Sequence, residues 1–300
     1  TFIPICADSV TVGMVIIMEN ALEIKGLRKQ YEGFALENVS FTLPRGAVMG
    51  FIGENGAGKT TTIKSILNLI HRDAGEIHVL GMDNIKNERA VKERLGVVLE
   101  DGCFLNTLNA RQVDTLMGKA YKSWKSEQFF GYMKRFGIDE RKKIKDYSKG
   151  MRMKLSIAAA LSHGAELLIM DEPTSGLDPV VRDEVLDLFY DFMQDESHAI
   201  LLSSHITSDL DKIADYITFI HGGRIVLSEP RDELLDTYGV LRCTADQLAA
   251  LDPAAVRAKR VGAFGCEALV RRDGVPENWT VEPVNIEQIM LFLTRGEDNR

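Results

Sequence analysis

Residues Gly53-Glu54-Asn55-Gly56-Ala57-Gly58-Lys59-Thr60-Thr61 have the types and the spacing to hold a nucleoside triphosphate by its phosphates. They fit the pattern G-x-x-x-x-G-K-[ST]. Glycines let the backbone curl until successive N–H groups face an anion, and a helix beginning there adds its positive dipole end. Lys59 is a cation for the β- and γ-phosphates, and the Thr60 hydroxyl is a hard oxygen ligand for Mg²⁺. A second group lies far downstream, at Asp171-Glu172. A carboxylate at the tip of a strand can hold Mg²⁺ or its water shell, and a second one beside it can orient or deprotonate an attacking water. An Asp-Glu pair alone is most often a loop start; paired with the upstream phosphate loop it points to phosphoryl chemistry. His205 follows another apolar run, where α/β folds put ligand contacts.

These side chains need strands that end at one edge. The apolar run 47–52 predicts a buried strand before the glycine-rich loop, and 61–69 carries apolar residues at helical spacing after it. Residues 167–170 predict the strand that ends at Asp171, and Ala199 to Ser204 the one that ends at His205. Residues 21–25 and 39–43 alternate as half-buried strands, with Tyr31 between them as a ring able to stack on a base. Strands are also expected at 77–80 and 96–99, the latter leading into Glu100, with a helix at 87–95. Residues 107–145 read as mostly helical, punctuated by Gly118, Gly131 and Gly137. Ser148 is placed to cap an alanine-rich helix, and 180–194 reads as an acidic helix. His221-Gly222-Gly223 between two apolar runs reads as a hairpin.

Thirty-six basic against 44 acidic residues give a net charge of −8 and a pI near 5.4. That balance argues against broad electrostatic binding to nucleic acid or anionic lipid. The four cysteines, Cys6, Cys103, Cys243 and Cys266, contain no C-x-x-C pair, which reads as a reduced protein without a zinc site. No apolar run approaches the ~20 residues that span a bilayer. Residues 1–17 are expected to be a non-native or flexible segment ahead of a natural start at Met18, with a partner-binding arm as the alternative.

In order and spacing these motifs resemble the ATP-binding subunit of an ABC transporter, over about residues 20 to 230. Gly53 to Thr61 is similar to the family's Walker A motif and 167–172 to Walker B. Ser175-Gly176-Leu177-Asp178 matches the D-loop, His205 the switch histidine and Tyr31 the aromatic A-loop. At 147–151 the usual L-S-G-G-Q signature keeps only Ser148 and Gly150, and Glu100 stands where the family has a Q-loop glutamine. The combination resembles a bacterial subgroup that works with antibiotic, peptide or other exporter permeases.

The resemblance implies an α/β P-loop fold of ABC ATPase type. It comprises a RecA-like core, an antiparallel β subdomain, a helical subdomain at about 103–165, and a small C-terminal α+β appendage over 231–300. It implies ATP and Mg²⁺ as ligands, with Thr60, Glu100 and Asp171 at the metal. Lys59, Glu100, Glu172 and His205 would serve catalysis. Two subunits, identical or different, would sandwich ATP so that Ser148 and Gly150 complete the partner's site. A separate transmembrane permease is the implied partner, with the chain peripheral on the cytoplasmic face of the membrane and no nucleic acid involved. The alternative is an ABC-type ATPase without a transport role. DNA-repair members would carry long heptad arms and translation-associated members two P-loops, and this sequence has neither.

Overall fold

In the computed structural model, residues 20–100, 102–262, 265–295 and 297–298 are described; the calls made on residues 1–17 and on Met18 lie outside them. The described residues open with β1 (Asn20–Tyr31) and β2 (Phe34–Pro44), an antiparallel hairpin. Then come β3 (Val48–Ile52), α1 (Lys59–Ile66), β4 (Ala74–Val79) and β5 (Met82–Asp83). Next are α2 (Glu88–Glu93), β6 (Leu95–Val98), α3 (Ala110–Ala120), α4 (Ser126–Arg135) and α5 (Lys149–Leu161). β7 (Leu167–Asp171), α6 (Pro179–Phe192), β8 (Ala199–Ser204) and α7 (Thr207–Ile213) follow. β9 (Tyr216–His221) and β10 (Arg224–Pro230) form the hairpin read at 221–223.

Among the described residues of this part, the strands make two sheets. One is antiparallel, ordered β2-β1-β4-β5. The other is ordered β10-β9-β3-β8-β7-β6, and β9, β3, β8, β7 and β6 run parallel within it. β3, β7 and β8 are buried along their whole length, as parallel strands covered on both faces must be. Parallel pairing brings their C-terminal ends to one edge, so the chain leaves β3 into the glycine loop, β7 at Asp171 and β8 toward His205. Phe51 of β3 packs on Phe41 of the hairpin with ring centroids 5.3 Å apart, tying the two sheets together. Each such fully buried large side chain contributes about 2 kcal/mol through its lost hydration.

Two details differ from the sequence reading. Gly118 and Gly131 sit inside α3 and α4 instead of ending them. The break falls at residues 121–125, where Glu93 Oε1 accepts from the backbone N–H groups of Lys122 and Ser123 and from the Ser123 hydroxyl. A carboxylate from another element has claimed the amides there. Leu80 is not a strand residue but a turn residue, at φ 51°.

The remaining chain adds α8 (Arg231–Thr237), β11 (Tyr238–Cys243), α9 (Ala245–Ala250), β12 (Val256–Gly262) and β13 (Gly265–Arg271). It ends with β14 (Val281–Glu282), α10 (Ile286–Arg295) and β15 (Glu297–Asp298). These strands form a third sheet, ordered β14-β11-β13-β12-β15. Leu234, Val240, Leu269, Ile289 and Phe292 belong to the same apolar core as Leu210, Ile217 and Phe219. The third sheet is therefore packed into the larger body through continuous apolar surface.

Candidate nucleotide site

The loop that leaves β3 closes at α1. Gly58 caps that helix at φ 116°, a backbone region that costs an L side chain dearly. A Cβ there would lie 2.5 Å from Leu36, and a Cβ at Gly53 would lie 2.4 Å from the Ile220 carbonyl oxygen. The loop is thus moulded around backbone, with both hairpins pressed on its outer side. Gly223 N–H donates to the Ala57 carbonyl at 3.0 Å, and Glu54 Oε2 lies 3.9 Å from His221 Nδ1. Phe34 reaches Gly58 and pairs across β1 and β2 with the half-exposed Tyr31. The aromatic residue therefore stands at the hairpin end that borders the loop.

Inside, the charged groups form one network. Lys59 is buried, and its Nζ donates to the carbonyls of Gly53 at 2.7 Å and Glu54 at 3.3 Å, curling over the loop it belongs to. The same Nζ lies 3.6 Å from Glu172 Oε1. Thr60 Oγ1 donates to Asp171 Oδ2 at 2.9 Å. Ser203 donates from its hydroxyl to Asp171 Oδ1 at 2.6 Å and accepts the Glu172 N–H at 3.1 Å. One buried hydroxyl on β8 thereby holds the Asp171 carboxylate at the end of β7 and the backbone of Glu172 just beyond it, a consequence of the register that pairs Asp171 with Ser203. His205 Nδ1 sits 2.6 Å from Glu172 Oε2, with its ring half in solvent. Glu172 has φ 52°, a strained value for a non-glycine residue that surrounding contacts must impose.

Lys59, Asp171 and Glu172 are all over nine-tenths buried, and buried charges persist when paired and hydrogen-bonded. The fit to a metal–triphosphate rests on donor chemistry. A hydroxyl and a carboxylate oxygen converge beside a buried ammonium, at the start of a helix with no acidic residue in its first turn. Oxygen donors suit Mg²⁺, and the helix start suits phosphate. Of the remaining loop residues, Asn55 and Gly56 are exposed at its mouth and Thr61 is half-buried in the first turn of α1.

Ser148, Gly150 and Glu100 lie apart from this network. Ser148 caps α5, its hydroxyl accepting from the Met151 N–H at 3.2 Å, and the N-terminal turn is exposed. A Cβ on Gly150 would meet Val181 at 3.2 Å, and one on Gly176 would meet Lys149 Nζ at 2.9 Å. Residues 148–150 therefore pack on the 175–178 loop that continues from Glu172. Asp178 caps α6 through the Val181 N–H, with Pro179 in the first turn. Glu100 is exposed and lines a cavity of about 250 Å³ with Cys103, Lys149, Arg152 and Met153.

Ser203 and Phe34 were not singled out from sequence. The available signal for Ser203 was the change from apolar to hydroxyl residues at the tip of β8, in Leu201-Leu202-Ser203-Ser204.

The family model described as ABC transporter matches residues 36–175, from the hairpin through the signature position to Ser175. The bacitracin transport ATP-binding protein BcrA of Bacillus licheniformis is 33% identical over 220 residues, covering 72% of this chain and 72% of that protein. The ABC transporter ATP-binding protein YtrB of Bacillus subtilis is 27% identical over 289 residues, 92% of this chain and 99% of that one, so the likeness extends through the third sheet. A solved structure of an ATP-binding subunit of an ABC transporter superposes with a TM-score of 0.66 at 27% identity. It covers 71% of this chain and 91% of its own.

Proposed function

This chain belongs to the ABC transporter family of ATP-binding proteins, and from that premise we propose that it hydrolyses Mg²⁺–ATP to drive a separate membrane permease. No helix among the described residues is long and apolar enough to cross a membrane, which suits a motor that docks on a permease at the membrane face. The name of BcrA speaks of bacitracin transport; the direction proposed here is export, with an antibiotic or peptide as cargo.

The observation that carries the proposal is the placement of Glu172. It is held by Lys59 at 3.6 Å, by His205 at 2.6 Å and by the Ser203 hydroxyl through its own N–H at 3.1 Å, beside the Thr60–Asp171 pair. ATP entering the loop gives Lys59 phosphoryl oxygens in place of the Gly53 and Glu54 carbonyls. Thr60 and Asp171 would hold Mg²⁺, which neutralises charge on the phosphates. Glu172 accepts a proton from, or orients, the water that attacks the γ-phosphorus in line. His205 bonds Glu172 and is half-exposed, which leaves it able to contact the γ-phosphate. Ser148 and Gly150, at the positive end of α5, complete the site of a second subunit across a head-to-tail dimer. ATP then joins two subunits, and loss of the γ-phosphate contacts releases them.

Glu172→Gln tests this directly. It keeps the side chain's shape and removes its basicity. ATP binding is expected to persist while hydrolysis slows by at least ~100-fold, the scale of a lost general base. Normal turnover in the variant would remove Glu172 from the role.

A further inference from the structure

Cys243 and Cys266 are separated in sequence but face each other directly across β11 and β13. Both lie on the face that carries Leu241, Ala268 and Val270, beneath α9, so their side chains share one side of the sheet. Directly opposed residues of an antiparallel pair have Cα atoms about 4.5–5.5 Å apart, inside the range that a disulfide accepts. Both thiols are free. Cys243 is half-buried and Cys266 buried, yet both line one open cavity of about 620 Å³ with Arg242, Thr244, Gln247 and Glu267. Cys243 ends β11 and Cys266 is the second residue of β13, where strands adjust at least cost.

We propose that Cys243 and Cys266 form a redox-modifiable dithiol that closes to a cross-strand disulfide when a small disulfide such as oxidised glutathione enters this cavity. The more exposed Cys243 thiolate attacks one sulfur of oxidised glutathione. The glutathione S–S bond breaks, a mixed disulfide forms, and one glutathione thiolate leaves. The Cys266 thiolate then attacks the Cys243 sulfur, forming the protein disulfide and expelling the second glutathione. Two electrons and two protons pass from the protein to the reagent, which ends as two reduced glutathiones. Burial, with Cys266 beside it, pushes the Cys243 thiol up from its ordinary range. Closure would tie the β11 end to β13 on the side of the third sheet that α9 covers.

The test uses the full chain with Cys6 and Cys103 changed to Ser, leaving this pair as its only thiols. After exposure to oxidised glutathione, the intact mass should fall by two hydrogens and retain no glutathione, and dithiothreitol should restore it. Digestion should yield one peptide pair linked through Cys243 and Cys266. Closure should run at least ~10-fold faster in the folded chain than in denaturant, since the fold supplies the proximity. In the same background, Cys266→Ser should stop the reaction at a glutathione adduct on Cys243. A stable adduct or two alkylatable thiols in the paired chain would overturn the proposal, as would equal rates with and without denaturant.

Discussion

The two surfaces expected to meet around ATP are built in opposite ways. At the glycine loop, Lys59, Asp171 and Glu172 are buried and tied to Thr60, Ser203 and His205 by bonds within one chain. At the start of α5, Ser148 and Lys149 are exposed, and what they offer is a capped helix end. The first surface carries its charge in place before nucleotide arrives, where fixed dipoles need no reorganisation during reaction. The second carries only donors and a dipole, which act when something negative is brought against them. The loop 175–178 runs from Glu172 to the flank of α5, so the two surfaces of one chain are joined by contiguous packing.

The largest expected effect breaks the first surface. Lys59→Ala removes its only buried ammonium and leaves Glu172 without that partner, so ATPase activity should fall to the background of the assay and ATP affinity should drop. Unchanged turnover in the purified variant would sink the assignment of the loop. Glu172→Gln comes next, with its ~100-fold loss of rate at retained binding.

The smallest effect sharpens the boundary between the two. Glu100 is exposed beside Lys149 and Arg152, on the α5 side of the molecule. Like charges ~4 Å apart in water change an affinity by roughly fivefold. Glu100→Gln should therefore tighten metal-free ATP binding, measured in EDTA, by no more than about that factor, and leave Mg²⁺–ATP binding unchanged. A gain of tenfold or more would mean that nucleotide draws Glu100 onto the phosphates and the metal.

What was legible from sequence follows the range of the interactions. Lys59, Thr60, Asp171 and Glu172 sit in short motifs at strand tips, so local order implied their convergence, and the parallel register delivers it. Ser203 was hidden because its role exists only through pairing with Asp171 on another strand. The break at residues 121–125 was hidden for a similar reason, since Glu93 supplies it from outside the helices. Cys243 and Cys266 looked scattered, and only the β11–β13 register makes them a pair. The cap at Ser148 was legible because it is local, whereas its proposed partner lies on another molecule.

The central claim is that each ATP site is shared, with the buried network from one subunit and the start of α5 from another. It is tested most directly by mixing two inactive variants, Lys59→Ala and Ser148→Arg. Each alone spoils every composite site of a symmetric dimer. In a mixed dimer, the Lys59 of one chain faces the Ser148 of the other, and one site is wholly native. Re-paired at equal amounts, the mixture should regain about a quarter of wild-type ATPase activity, the share of native sites in a random two-fold dimer. A mixture as inactive as its components would contradict the shared site.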